Sequence, residues 1–355
     1  MSKIKVGVIF GGMSTEHDVS IVSGTSVAKK LNKDKYEVYP IYIDNNGEWY
    51  KCLDISKKYE VGDKVENIQK IENTIEYLRE MDVIFPVLHG LYGEDGTVQG
   101  LFELLKKPYV GCKVMGSSIA MDKVYAKIIF DKAKIKQAKY EYIRKDKDEY
   151  IYIDKDFNEK RKELKEICKM IEKNISYPMF IKPSNSGSSV GINKAKNIEE
   201  LEKYIEYASV SYTSKFDKKI LIEETLIGRE IECSVLGNED VKASCIGEIL
   251  PAENFYTFDA KYKNAESKLT IPAEINKDLT DEVRKTAIKA FKAIDGKGFA
   301  RVDFFVNDKT NEIYINEINT LPGFTEISMY PKLWAQSGLE YSELLDKLID
   351  LALEN

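Results

Sequence analysis

The first 115 residues alternate short apolar runs with helical stretches, and this rhythm constrains the fold more than any other feature of the chain. The pattern predicts strands at Val6–Phe10, Val38–Ile43 and Val83–Leu88, each followed by a polar or glycine-rich turn. A strand–helix–strand succession of this kind forms a parallel sheet with helices on its faces. The segment therefore predicts an α/β fold whose ligands bind at the carboxyl ends of the strands.

Two further strands are predicted near the C-terminus, at Phe299–Val306 and Glu312–Asn319, joined by a polar turn. A hairpin that is symmetric about Lys309 would place Arg301 opposite Glu317 on the neighbouring strand. Because successive side chains alternate between the two faces of a strand, the charged residues of both strands converge on one face. The other face is apolar and is expected to be buried.

The converging polar face contains one cation, two carboxylates and one amide: Arg301, Asp303, Glu317 and Asn319. Two carboxylates about 4 Å apart repel by roughly 4 kcal/mol at an effective dielectric constant near 20, so a positive group is expected beside them. Mg²⁺, which prefers oxygen ligands, together with the phosphates of a nucleotide meets that requirement. A solvated polar face with a single Arg–Glu pair explains the same pattern, and the hairpin alone does not decide between the two.

The composition limits the number of domains and the kinds of partner. A chain of 355 residues exceeds one ordinary core, and we place three domains at residues 1–115, 116–215 and 216–355. The net charge of −6, without a dense basic stripe, argues against nucleic acid as a partner. Five scattered cysteines and the lack of a long apolar N-terminal segment predict a cytoplasmic protein with reduced thiols and no membrane segment.

A lysine followed by a Ser/Gly-rich loop stands at residues 182–191, directly after a predicted strand. Backbone amides and hydroxyls of such a loop can bind phosphate oxygens, with Lys182 as a point charge beside them. The loop lacks the Gly-Lys-[Ser/Thr] sequence of a Walker A motif. An ordinary flexible connection has the same composition, so both interpretations stand.

The two histidines of the chain, His17 and His89, both follow predicted strands of the first domain and lie in glycine-rich segments. Their position at the sheet edge, with Glu16 beside His17, predicts a ligand site there. Structural histidines and a helix-start carboxylate are the alternative. The aromatic stretch Phe255–Tyr262 suits either a core or a loop that closes over a ligand and expels water.

Taken together, these motifs resemble the D-alanine–D-alanine ligase family of the ATP-grasp superfamily. The resemblance rests on an ordered series of segments that covers nearly the whole chain, at residues 11–20, 88–96, 121–123, 182–191, 259–262, 301–303 and 316–325. It implies an N-terminal parallel-sheet α/β domain followed by central and C-terminal α+β domains that sandwich ATP. It also implies ligation of two D-alanines through a D-alanyl phosphate for peptidoglycan synthesis, two Mg²⁺ or Mn²⁺ ions, and a homodimer.

The resemblance also assigns roles to matching positions. The nucleotide would be bound by Lys123, Lys182, Glu223, Glu224, Leu226, Glu230 and Lys261. The catalytic set would be Glu16, Ser188, Tyr262, Arg301 and Ser328. The substrates would contact Glu16, His89, Gly323, Ser328 and Met329, and the metal ligands would be Asp303, Glu317 and Asn319.

The identity of the second substrate depends on two of these positions. Relatives that use D-lactate resemble this pattern but carry His in place of Tyr262, and those that use D-serine tend to carry Phe there and Arg in place of Met329. Tyr262 and Met329 together therefore favour D-alanine, with D-serine and D-lactate as alternatives. A nucleotide-binding module without turnover, or a ligase for another carboxylate and amine, remains a different class of interpretation.

Overall fold

A computed structural model describes residues 2–187, 190–210, 215, 217–250, 268–307, 309–325 and 327–354. Within these residues sixteen strands form three sheets, and each sheet is built from one continuous stretch of the chain. The α/β fold predicted from the sequence is confirmed.

The first sheet has the strand order β4-β3-β2-β1-β5. Its strands are β1 (Ile4–Gly11), β2 (Tyr36–Ile43), β3 (Trp49–Cys52), β4 (Ile68–Lys70) and β5 (Val83–Pro86). β1 pairs in parallel with β2 and with β5, as the alternating pattern predicts. β3 and β4 extend this sheet in antiparallel orientation. The turn into β3 contains Gly47 in the left-handed region (φ +84°), which is typical of a tight hairpin connection.

The other two sheets are antiparallel. The second, in the order β10-β9-β11-β6-β7-β8, contains β6 (Tyr140–Asp146), β7 (Glu149–Ile153), β8 (Glu159–Lys162), β9 (Met179–Pro183), β10 (Asn193–Ala195) and β11 (Lys219–Glu224). The third, in the order β14-β13-β12-β15-β16, contains β12 (Arg229–Leu236), β13 (Lys242–Leu250), β14 (Lys268–Thr270), β15 (Phe299–Asn307) and β16 (Glu312–Asn319).

Ten helices of the described residues cover these sheets. They are α1 (His17–Lys30), α2 (Thr74–Arg79), α3 (Thr97–Leu104), α4 (Val114–Met121), α5 (Lys123–Lys132), α6 (Leu164–Ile171), α7 (Ile198–Val210), α8 (Lys277–Ala293), α9 (Met329–Gln336) and α10 (Tyr341–Leu353). None of the helices in the described part of the chain is both long and apolar enough to cross a membrane.

Two of these helices fix the surroundings of the third sheet. α8 packs Val283 and Ala287 against the apolar face of β15, where Val302 and Phe304 are buried. The polar face of β15 is therefore left for a ligand. α10 has an apolar side of leucines that packs against β5 and α1 of the first domain and so ties the C-terminal helix to the first sheet.

The predicted register of the C-terminal hairpin is wrong. Arg301 lies opposite Asn319, and Asp303 lies opposite Glu317. The centre of the observed hairpin lies between Lys309 and Thr310, half a residue after the predicted centre at Lys309, because Asn307 pairs with Glu312. A β-bulge next to Asp303 then shifts the pairing by one further residue. The bulge returns Glu317 and Asn319 to the face that carries Arg301 and Asp303, so the predicted convergence holds although the partners differ.

Candidate active site

A cleft of about 1300 Å³ lies where the three sheets meet. Fifteen predicted site residues line it: Glu16, His89, Lys123, Lys182, Glu223, Glu224, Leu226, Glu230, Arg301, Asp303, Glu317, Asn319, Gly323, Ser328 and Met329. His17, which the sequence also placed at the ligand site, does not line the cleft, and its ring nitrogens lie 2.5 Å from the Gly12 carbonyl oxygen and 3.2 Å from the Tyr42 hydroxyl. The remaining three, Ser188, Lys261 and Tyr262, lie outside the described residues. The structure thus brings together segments that are up to about three hundred residues apart in the chain.

Three carboxylates and one guanidinium form the floor of the cleft on the third sheet. Glu232, Asp303 and Glu317 occupy directly paired positions on β12, β15 and β16. Arg301 donates from Nε to Asp303 Oδ1 (2.7 Å) and from Nη2 to Asp303 Oδ2 (2.7 Å), and its Nε lies 3.0 Å from Glu232 Oε2. Burial would lower the pKa of Arg301, but Asp303 and Glu232 outweigh burial and raise it well above its ordinary value. Arg301 is therefore a fixed, permanently charged donor.

The same floor suits a hard cation. Three carboxylates face one guanidinium, so the row carries an excess of negative charge that a divalent cation would offset. Asn319 Nδ2 donates to Asp303 Oδ2 (3.0 Å), which places an amide beside the carboxylate pair. No group of three or more His, Cys, Asp or Glu side chains in metal-binding arrangement occurs among the described residues. The donor set consists of oxygens and fits Mg²⁺ or Mn²⁺.

Lysines line the opposite wall of the cleft. Lys182 is the penultimate residue of β9, and its Nζ bonds Glu223 on β11. Lys127 on α5 is 97% buried and its Nζ lies 2.9 Å from the other oxygen of Glu223. Burial would raise the pKa of Glu223, but Lys127 and Lys182 outweigh it and lower the pKa to about 2. One carboxylate is thus shared by two ammonium groups, and this wall keeps a net positive charge.

Sequence reasoning missed Lys127. Its signal was present, because Lys123 and Lys127 are four residues apart and therefore share one face of α5. Lys123 Nζ donates to the carbonyl oxygen of Ser186 (2.5 Å), so Lys123 lies against the Ser/Gly-rich loop.

Asp122 fastens that loop to the start of α5. Its Oδ1 accepts from the backbone amides of Val124 and Tyr125 (3.1 Å each) and from Ser184 Oγ (2.6 Å). Its Oδ2 lies 3.0 Å from Lys219 Nζ. One buried carboxylate therefore caps the helix that carries Lys123 and holds the first residue of the loop.

His89 connects the first sheet to the loop after β16. Its Nδ1 lies 3.0 Å from the carbonyl oxygen of Leu321, and its Nε2 lies 3.0 Å from Ser23 Oγ. Burial lowers the pKa of His89, so the ring is neutral, and the carbonyl partner requires the proton on Nδ1. Both ring nitrogens are used within the protein, and His89 therefore positions the 321–324 loop and its Gly323.

Two glutamates meet near this loop. Glu16 is 93% buried and lies against Gly90 and Gly187, where any side chain would collide with Glu16 Oε2. Glu94 accepts from the backbone amides of Gly90 (2.9 Å) and Leu321 (3.3 Å). Burial and the nearby Glu16 raise the pKa of Glu94 to about 8. Glu94 lies in the segment 88–96 that carries the family resemblance, but that segment alone does not reveal its contact with Leu321.

The N-terminus of α9 closes the far end of the cleft. Ser328 occupies the N-cap position, and its Oγ accepts from the backbone amide of Thr325 (3.0 Å) and lies 2.7 Å from Thr325 Oγ1. Gly323 lies against Ser328 Oγ. Met329 is buried behind them. The first turn of α9 thus offers a hydroxyl, amides and the positive end of a helix dipole beside an apolar wall, which suits a small molecule with a carboxylate.

Comparison with known proteins identifies relatives along nearly the whole chain. Residues 5–112 match the family model described as D-ala D-ala ligase N-terminus, and residues 129–350 match the one described as D-ala D-ala ligase C-terminus. The chain is 48% identical over 353 residues to the D-alanine–D-alanine ligase of Clostridium acetobutylicum, covering 99% of this chain and 98% of that protein.

Solved structures agree with these sequence matches. The chain is similar to the VanG D-Ala:D-Ser ligase from Enterococcus faecalis, with a TM-score of 0.81 and 34% identity over 99% of this chain and 100% of that one. It is also similar to the D-alanine–D-alanine ligase from Bacillus anthracis complexed with ATP, with a TM-score of 0.72 and 29% identity over 99% of this chain and 98% of that one.

Proposed function

The chain belongs to the D-alanine–D-alanine ligase family and has its ATP-grasp fold, and we propose that it joins two D-alanines at the expense of ATP. The single observation that carries the proposal is the cleft itself. It combines a lysine-rich wall, an acidic floor with a fixed guanidinium, and a helix N-terminus beside an apolar wall. These are the three environments that a nucleotide phosphate, a reacting carboxylate and an acceptor amino acid require.

The lysine wall is the proposed phosphate end. Lys123 and Lys182 contact the phosphates of ATP. Lys127 pairs with Glu223 beside Lys182, so this wall keeps a net positive charge. The segment that runs along the rim after β11 holds the adenosine, with Glu224 and Leu226 beside the base and Glu230 on the ribose. Glu223 supports this segment through its lysine pairs. Lys261, Tyr262 and Ser188 lie outside the described residues, so their roles are proposed from the family resemblance. The 255–262 stretch would close over the γ-phosphate with Lys261, and Ser188 belongs to the Ser/Gly-rich segment.

Two Mg²⁺ or Mn²⁺ ions complete this end. Asp303, Glu317 and Asn319 are the residues that would hold them. When bound, such ions neutralise charge that develops on the transferring phosphoryl group.

The reaction follows from the chemistry of a carboxylate, which is a poor electrophile. Glu16 holds the ammonium of the first D-alanine so that one carboxylate oxygen attacks the γ-phosphorus, and ADP leaves. The amine of the second D-alanine then attacks the acyl carbon of the resulting D-alanyl phosphate. The guanidinium of Arg301 and the backbone N–H of Gly323 stabilise the oxyanion, and inorganic phosphate leaves as the peptide bond forms. Exclusion of water protects the acyl phosphate from hydrolysis.

The second D-alanine occupies the α9 end. Ser328 receives its carboxylate, and Met329 borders its methyl group. D-serine is the second candidate, because VanG, a D-Ala:D-Ser ligase, shares the fold over the whole chain. Met329 and Tyr262 favour D-alanine, although a pocket of this kind rejects an added hydroxyl only about 100-fold.

The setting of the reaction follows from the product. We propose that the protein is a cytoplasmic homodimer and that the dipeptide it makes is a precursor for peptidoglycan synthesis. We also propose that the three-part division at residues 1–115, 116–215 and 216–355 corresponds to three domains. The second sheet includes β11 (Lys219–Glu224), so the start of the segment 216–355 contributes one strand to the central sheet.

We expect Asp122→Ala to raise KM for ATP about tenfold and to leave KM for D-alanine within twofold. The variant frees both the loop and the helix that carries Lys123, so the phosphate contacts are no longer preorganised. The comparison is Asn276→Ala, which removes the side-chain cap of α8 far from the phosphate wall. Both variants lose a helix cap worth about 1 kcal/mol, and Asp122→Ala also loses its contacts with Ser184 and Lys219, so its melting temperature should fall further and KM is compared at a temperature where both variants are folded. Equal KM values for ATP in the two variants would contradict a role of Asp122 in phosphate binding.

The function is tested by ADP release from the purified protein with MgATP, with and without D-alanine, and with L-alanine as control. We expect release that requires D-alanine and yields the D-alanyl-D-alanine dipeptide. Binding of MgATP without D-alanine-dependent release would favour a nucleotide-binding module instead. Release with D-alanine plus D-serine that clearly exceeds release with D-alanine alone would favour the second candidate.

A further inference from the structure

The paired carboxylates Glu232, Asp303 and Glu317 form an acidic row across the third sheet, and the next paired position, on β13, is a glycine. Gly247 on β13 pairs directly with Glu232, which pairs with Asp303, which pairs with Glu317. Directly paired residues of neighbouring strands point to the same face of a sheet. A side chain at Gly247 would therefore point to the face that carries the reacting groups.

Helix α9 fills the space that Gly247 leaves. A Cβ atom at this position would lie 2.7 Å from Met329 Sδ, 3.1 Å from Met329 Cε and 2.9 Å from Leu333 Cδ2. Met329 and Leu333 are one turn apart, so the helix lies flat on the glycine. The backbone of Gly247 lies outside the left-handed region, so space and not backbone conformation accounts for the glycine.

The helix itself is anchored to the sheet. Ser337 Oγ accepts from the backbone amide of Cys245 (2.7 Å), and Ser234 Oγ donates to the carbonyl oxygen of Tyr330 (3.3 Å). The Tyr330 hydroxyl donates to the carbonyl oxygen of Val235 (3.0 Å). A new side chain at position 247 therefore displaces flexible side-chain ends before it displaces the helix.

Met329 is the side chain that yields. It is unbranched and flexible, and it lines the cleft together with Ser328, Ile249 and Leu269. Met329 shares a buried cluster with Ile249 and Leu333, and the open volume that it borders is the cleft. Displacement from the sheet therefore moves Met329 into the α9 end of the cleft.

We propose that Gly247 is a specificity-determining residue for the acceptor amino acid. By leaving room for Met329 against the sheet, it keeps the acceptor end of the cleft wide enough for a small D-amino acid. Gly247 does not line the cleft itself and acts through Met329, so it is a positioning residue. The inference rests on the proposed function, which assigns the α9 end to the acceptor.

The test is Gly247→Ala, with Gly100→Ala as the matched control. Gly100 lies within α3, and a Cβ atom there meets nothing within 4 Å. For Gly247→Ala we expect KM for the second D-alanine to rise about tenfold, the effect of one methyl-sized change in a pocket. KM for ATP should stay close to that of the wild type, whereas the melting temperature should fall modestly, because an added methyl group in a packed site destabilises the fold. The ratio of kcat/KM for D-serine to that for D-alanine should fall, because the larger acceptor loses more room.

A double-variant cycle separates positioning from general damage. In a Met329→Ala background, Gly247→Ala should change KM for the second D-alanine by less than twofold, because the colliding side chain that lines the cleft is gone and Leu333, the other contact, does not line it. An unchanged acceptor KM in Gly247→Ala would overturn the inference. So would equal increases in the KM values for ATP and D-alanine that Met329→Ala does not relieve. Wild-type and Gly100→Ala proteins that show no D-alanine-dependent ADP release would instead overturn the proposed function, and the inference with it.

Discussion

Arg301→Met is expected to lower kcat by about 100- to 1000-fold, equivalent to the loss of one preorganised oxyanion donor. Arg301 is held by both oxygens of Asp303 and by Glu232, so its guanidinium needs no reorganisation when the oxyanion forms. Its raised pKa keeps the guanidinium charged at neutral and alkaline pH. Methionine matches its length and removes the charge and all five donors.

The same substitution leaves Asp303 and Glu232 without their cation, which can cost several kcal/mol of folding stability. Arg301→Lys therefore accompanies it, because lysine keeps the charge but lacks the planar fork. We expect Arg301→Lys to fold normally and to remain at least about tenfold below wild type in kcat. Arg144→Met, which removes an exposed pair with Glu159 on the second sheet, is the control. Turnover of Arg301→Lys equal to that of Arg144→Met would exclude Arg301 from oxyanion stabilisation.

Glu317→Ala is expected to abolish turnover and to weaken binding of MgATP together. Glu317 stands directly opposite Asp303, and the two carboxylates supply most of the negative charge that a cation would meet here. Ions at such a site contribute several kcal/mol, so we expect kcat to fall by about 1000-fold. Calorimetric titration with ATP, in the presence and absence of Mg²⁺, should show that the variant loses the Mg²⁺-dependent part of the affinity.

A control for this variant exists on the same strand. Glu312→Ala removes a carboxylate whose partner is Lys136, at the turn end of β16 and outside the cleft. It should retain turnover and Mg²⁺-dependent ATP binding. Mg²⁺-dependent turnover of Glu317→Ala within twofold of Glu312→Ala would remove the cation from this site.

The hairpin shows what a sequence pattern does and does not determine. Alternation along β15 correctly placed Arg301 and Asp303 on one face, because that property depends on one strand alone. The pairing between strands was wrong, because it depends on the turn and on a bulge. The bulge has a signal in the sequence. Ile313, Ile315 and Ile318 are buried or partly buried, and their spacing changes from two residues to three where the extra residue lies.

Other parts of the site depend on contacts between distant segments, which no local pattern reveals. Asp122 and Ser184 are 62 residues apart in the chain and share a hydrogen bond. His89 and Leu321 are 232 residues apart. The histidine was correctly placed at the sheet edge, but its role in holding the 321–324 loop became visible only when both segments were placed in space. The resemblance supplied the grouping of these residues, and the structure supplied the contacts among those it describes.

The central step of the proposed reaction is the transfer of a carboxylate oxygen to phosphorus. D-alanine labelled with ¹⁸O in its carboxylate should be incubated with the protein and MgATP, and the released inorganic phosphate analysed by mass spectrometry. An acyl phosphate retains one labelled oxygen as the bridge between carbon and phosphorus, and that oxygen leaves with the phosphate when the amine attacks. We therefore expect one ¹⁸O atom in phosphate for each dipeptide formed. Dipeptide formation with unlabelled phosphate would contradict an acyl phosphate intermediate.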